Sequence, residues 1–112
     1  MIKIEIQRQK NKIIYFEIKG HAEFSEYGED VICAAVSSVG QMTVNGLIET
    51  LKLKKKLKFI EKDGHIVCDL KNSGLTDEEL EKSDILVESM YSYLKDVAKS
   101  YNNFVKFKEI KK

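Results

Sequence analysis

Gly20-His21-Ala22-Glu23-Phe24-Ser25-Glu26-Tyr27-Gly28-Glu29-Asp30-Val31-Ile32-Cys33-Ala34-Ala35-Val36-Ser37-Ser38 carries the change of hydrophobic period on which the fold turns. Before it, Ile2, Ile4 and Ile6 alternate with Lys3, Glu5 and Gln7, as a half-buried strand does. Residues 9–12 form a polar turn, and Ile14, Phe16 and Ile18 resume the alternation. The two runs read as a hairpin. After it, Val36, Gly40, Val44, Leu47 and Leu51 recur at steps of three and four, the stripe of a helix. Asp30 is the expected N-cap of that helix. The quoted stretch is therefore a strand-to-helix junction joined by an acidic loop.

Further along, the lysine-rich residues 52–58 are expected to close the first helix and lead into a third strand over 57–61. Asp63-Gly64 is a hairpin turn signal. A fourth strand over 65–70 places Ile66, Cys68 and Leu70 on one face. Thr76 with Glu79 three residues on matches a capping box. The second helix then carries Leu80, Val87, Tyr91, Leu94, Ala98 and Tyr101 as its apolar stripe. Residues 104–110 suit a short final strand. The expected fold is α+β: a two-layer ββαββα domain spanning residues 1–112. Its sheet is mainly antiparallel, and both helices lie on one face.

Composition excludes several classes. The chain has 112 residues, 43% of them hydrophobic, enough for a modest core and too many for a disordered chain. A formal net charge of +1 gives no global pull toward nucleic acid or membrane. The uncharged run 31–48 is interrupted by Ser37, Ser38, Gln41, Thr43 and Asn45, too polar for a lone membrane span. The strand-like N-terminus lacks the apolar stretch of a signal peptide. With two cysteines, that pattern predicts a reducing, cytoplasmic setting and free thiols.

The junction carries the candidate chemistry. A thiol must lose its proton before it attacks, and an imidazole is the usual base. His21 stands at a strand end and Cys33 is expected within the first turn of a helix, where the helix dipole favours a thiolate and backbone N–H groups favour an oxyanion. Asp30 opposes a second negative charge nearby. By spacing alone, Cys33 better fits a small buried core residue, and His21 taken alone a hydrogen-bonded strand end; the pairing of the two is what raises the catalytic reading. A zinc set of His21, Cys33, His65 and Cys68 fails, because positions three apart on a strand point to opposite faces. The lysines of 52–58 fit a solvated helix end better than an RNA site, since no aromatic side chains interleave with them.

Gly20-His21-Ala22, Gly28, and Asp30-Val31-Ile32-Cys33-Ala34-Ala35-Val36-Ser37 together closely resemble the bacterial ribosomal-processing cysteine protease family, Prp. The resemblance spans nearly the whole chain. It implies a cytoplasmic, homodimeric endopeptidase that needs no cofactor. Its implied substrate is the precursor of a large-subunit ribosomal protein, of the L-twenty-seven family, from which it removes a short N-terminal extension. It implies His21 and Cys33 as the catalytic pair, with the backbone of Cys33 and Ala34 at the oxyanion. Asp30 and Ser37 are candidates to orient the pair or contact substrate. Phe24 and Tyr27 suit an apolar residue before the cut, and the loop carboxylates suit a basic ribosomal protein. No metal, membrane or direct nucleic-acid contact is expected. The alternatives are a non-enzymatic ribosome-associated module binding RNA or protein through residues 52–58, and a thiol-based redox protein using Cys33.

Overall fold

The computed structural model describes residues 1–20 and 28–112. The first hairpin is β1 (Ile2–Gln9) and β2 (Lys12–Lys19), turned by Lys10 and Asn11, both at positive φ. Helix α1 (Glu29–Asn45) follows and runs on into one π-helical turn, Gly46–Thr50. The second hairpin is β3 (Lys58–Lys62) and β4 (His65–Asp69), with Asp63 and Gly64 at positive φ in the expected turn. Helix α2 (Asp77–Ser100) and strand β5 (Val105–Lys111) complete the chain. The architecture is the α+β arrangement expected.

The sheet order is β3-β4-β2-β1-β5. Every pairing is antiparallel except β1 with β5, which is parallel. Alternation explains which face is covered. Ile2, Ile4, Ile6, Phe16, Ile18, Ile66 and Cys68 are buried under the helices. From α1, Val36, Gly40, Val44 and Leu47 meet them, and from α2, Val87, Met90 and Leu94. By length and composition Glu29–Thr50 would suit a membrane span, but here its stripe lies in the protein core. Gly40 permits the close approach, since a Cβ there would stand 2.7 Å from Ile18 Cδ1.

Three expectations are corrected. First, the N-cap of α1 is Gly28, not Asp30. Gly28 takes a left-handed φ of 93° that favours glycine, and Asp30 is an exposed second residue of the helix. Second, residues 52–58 are not a helix end. The π turn closes with Leu51 N–H donating to Gly46 O, and Lys52 then turns at φ 58°. Leu53 and Leu57 plug the core from this loop while Lys54, Lys55 and Lys56 stay outside. Third, Tyr101 leaves the α2 stripe. The backbone departs from helical geometry there, and the ring is 43% exposed. Ile14, Phe16 and Ile18 are buried as expected, and Ile13 is buried as well, where the β1–β2 register shifts between Gln7 and Arg8. The capping box at Thr76 and Glu79 is formed in both directions.

Candidate active site

Cys33, expected in the first helical turn, is the fifth residue of α1, because the helix starts two residues earlier than an Asp30 cap would set it; the residue is half-buried. Its thiol donates to the backbone carbonyl of Gly20 across 3.6 Å. Gly20 follows β2 directly, so the thiol touches the chain one residue before His21. His21, Phe24 and Tyr27 themselves lie outside the described residues.

The position of Gly20 is tightly held. Its N–H donates to Gly64 O at 3.3 Å, tying it to the β3–β4 turn. Its φ is +148°, and a Cβ added there would stand 2.9 Å from Ile2 Cα and 3.0 Å from Met1 O. Any larger residue meets backbone that cannot rotate away. Glycine is thus required where the chain leaving β2 passes the start of β1, and that passage presents the carbonyl to the thiol.

The start of α1 is acidic. Glu29 and Asp30 occupy its first turn, and the Glu29 carboxylate is buried against the Met1 ammonium at 2.8 Å. The helical ladder opens with Ile32 N–H donating to Gly28 O. The amides of Cys33 and Ala34 follow that first bond within the helix. Ser37 stands one turn beyond Cys33 and lines a recess of about 160 Å³ with Gln41, Asp63, Gly64 and His65. Sequence reasoning singled out Cys33 and Ser37 but missed the Gly20 carbonyl, and it counted Glu29 among the loop carboxylates that meet substrate, whereas Glu29 is buried in the first turn of α1 against the Met1 ammonium. A glycine directly before a strand-end histidine was the available signal for the carbonyl.

Cys68 is chemically different. It is fully buried in β4, and that burial, reinforced by the adjacent Asp69 charge, pushes its thiol up to about 12. It stays a neutral core side chain at physiological pH. The two cysteines are free thiols. Among the described residues, no three His, Cys, Asp or Glu side chains gather in a way that would hold a metal ion.

The profile of the cysteine protease Prp family matches residues 1–106. The ribosomal processing cysteine protease Prp of Bacillus subtilis (strain 168) is 33% identical over 104 residues, 92% of each chain. That of Staphylococcus aureus (strain Mu50) is 23% identical over 107 residues, covering 95% of this chain and 96% of its own. Among solved structures, SMU.848 from Streptococcus mutans superposes with a TM-score of 0.78 at 32% identity, covering 100% of this chain and 96% of its own. The essential Prp of S. aureus, solved in complex with a substrate peptide, shares the fold with a TM-score of 0.78 at 23% identity, covering 97% and 99%. Because the family match runs from residue 1 to residue 106 and takes in the whole strand-to-helix junction, the chain belongs to the cysteine protease Prp family, the peptide hydrolases of ribosomal processing.

Proposed function

We propose that this chain removes the short N-terminal extension of a large-subunit ribosomal protein of the L-twenty-seven family, using Cys33 as nucleophile and His21 as its base. The observation that carries the reading is the 3.6 Å contact between the Cys33 thiol and the Gly20 carbonyl. It brings Gly20, the residue that precedes His21 in the sequence, to the nucleophile, and so supports the pairing of His21 with Cys33.

In the proposed reaction His21 takes the Cys33 proton, and the thiolate attacks the scissile carbonyl. Backbone amides near the start of α1, those of Cys33 and Ala34, stabilise the oxyanion. His21 then protonates the leaving amine. Water hydrolyses the thioester and returns the thiol. The thiol must first leave the Gly20 carbonyl, because a thiolate has no proton to donate to it. Asp30 and Ser37 orient the pair or contact substrate, Phe24 and Tyr27 hold an apolar residue before the cut, and the loop carboxylates attract a basic precursor.

The enzyme acts in the cytoplasm as a homodimer. Val31, Met42 and Ile85 support the second point, since all three are large apolar side chains left exposed on the helical layer, at 65%, 62% and 73%. The test is cleavage of a fluorogenic peptide spanning the precursor junction. Cys33→Ala and His21→Ala should each abolish turnover with the fold retained. Turnover by Cys33→Ala would overturn the assignment.

A further inference from the structure

We propose that the helix-free face of the sheet binds the phosphate backbone of RNA, through a row of basic side chains at the end nearest Cys33. The row is a product of register. Lys62 pairs with His65 across β3 and β4, and His65 with Lys19 across β4 and β2. Lys19 pairs with Lys3 across β2 and β1, and Lys3 with Lys106 across β1 and β5. Each strand of the five-stranded sheet contributes one basic residue to a single line. With strands about 4.8 Å apart, the line runs about 19 Å. All its members alternate with inward-facing residues, so they stand on the face away from the helices. Lys3, Lys19, Lys62 and Lys106 are exposed.

Like charges directly opposite each other weaken a sheet. The directly opposed lysines Lys19, Lys3 and Lys106 therefore work against the fold. His65 is matched by Glu17. Among the described residues, however, no ion pair involves Lys3, Lys19, Lys106 or Lys108. These four lysines frame a hollow of about 260 Å³ together with Glu5 and Glu17. The chain as a whole carries only +1, so the positive face is a local concentration and not a by-product of a basic composition.

The charge selects the occupant. A second copy would bring the same positive face and be repelled, and so would a basic ribosomal protein. RNA is the abundant polyanion where ribosomal processing takes place. Lysine heads are mobile point charges that suit phosphates and read no base edges, so binding should be independent of sequence. Lys19 directly precedes Gly20, whose carbonyl meets the Cys33 thiol. RNA held on this row would therefore lie beside the cleavage site, on the opposite face of the sheet. The inference draws on the ribosomal setting of the proposed function and not on the chemistry of Cys33 or His21.

The test is fluorescence anisotropy with a fluorescein-labelled single-stranded RNA of mixed sequence and Cys33→Ala protein, so that cleavage plays no part. Binding should weaken between about 50 and 200 mM salt, with a log–log slope of roughly −2 to −3 for three or four phosphate contacts. Lys3→Glu/Lys106→Glu should lose on the order of tenfold in affinity. The charge-matched Lys54→Glu/Lys55→Glu pair in the 52–58 loop should not. Lys3→Gln/Lys106→Gln, a milder pair, should lose less and serves if charge reversal impairs folding. Absent or salt-independent binding, equal loss in the loop pair, or tighter binding to polyglutamate than to RNA would each overturn the proposal.

Discussion

The Cys33 thiol and the Gly20 carbonyl are hydrogen-bonded across 3.6 Å, which ties the candidate nucleophile to the end of β2. The bond depends on a backbone path that only glycine follows, since a Cβ at position 20 would press on Ile2 Cα. Gly20→Ala is therefore expected to cost about 1–3 kcal/mol of stability through backbone strain. Displacing the carbonyl and the adjoining His21 should also lower kcat/KM on the order of a hundredfold. Urea unfolding and peptide turnover on the same preparation check both. A fully active, equally stable Gly20→Ala protein would show that the junction tolerates the side chain.

The two thiols should differ in reactivity. Cys33 is half-buried, whereas Cys68 is sealed in the core with its thiol held up to about 12 by burial. Iodoacetamide on the native protein should modify Cys33 alone, and both after denaturation, as read by peptide mass mapping. Native modification of Cys68 would contradict the packing of β4.

Arg8 joins β1 to β5 and α2. Its guanidinium donates to Glu88 and Glu109, and the Tyr91 hydroxyl donates to Glu109 at 2.6 Å. Tyr91, and then Arg8, hold the Glu109 carboxyl below its usual range. Its contribution to stability is thus complete above the unfolded value near 4.3 and is lost as pH falls through the lower folded value. Asp84 acts oppositely: burial raises it, so it costs stability as pH rises past its unfolded value near 3.9. Arg8→Ala should lose about 1–3 kcal/mol near neutral pH. It should lose less at strongly acid pH, where Glu109 is protonated in both proteins. Denaturant titrations at the two pH values decide this.

Ile85 is the most exposed large apolar side chain of α2 and borders a groove with Gly46, Leu51 and Leu86. If two copies meet through the helical layer, Ile85→Asp should shift sedimentation from dimer to monomer while leaving the melting curve of the subunit little changed. An unchanged dimer would place the contact elsewhere.

Much of this was legible in the residues. Alternating isoleucines declared β1 and β2, Asp63-Gly64 declared its hairpin, and Thr76 with Glu79 declared the start of α2. These signals are local. What escaped was set by long-range contacts. Nothing near 104–110 says that β5 lies parallel to β1, since that partner is about a hundred residues away. The π turn after Asn45 begins at Gly46, a residue packed so close to Leu86 that a Cβ would stand 2.6 Å from Leu86 Cδ2, a contact made across the fold. The lysine run 52–58 hid Leu53 and Leu57, whose burial makes it a core-plugging loop. The site was half legible: Cys33 and its helix could be placed from the sequence. The Gly20 carbonyl and the basic row appear only once register is known.

The most direct test is intact-mass analysis of the extended ribosomal precursor after incubation with the wild-type chain or with Cys33→Ala. One N-terminal cut, made by the wild type alone, is the predicted result. The same cut made by Cys33→Ala, or an uncut precursor with folded wild-type protein, would contradict the account.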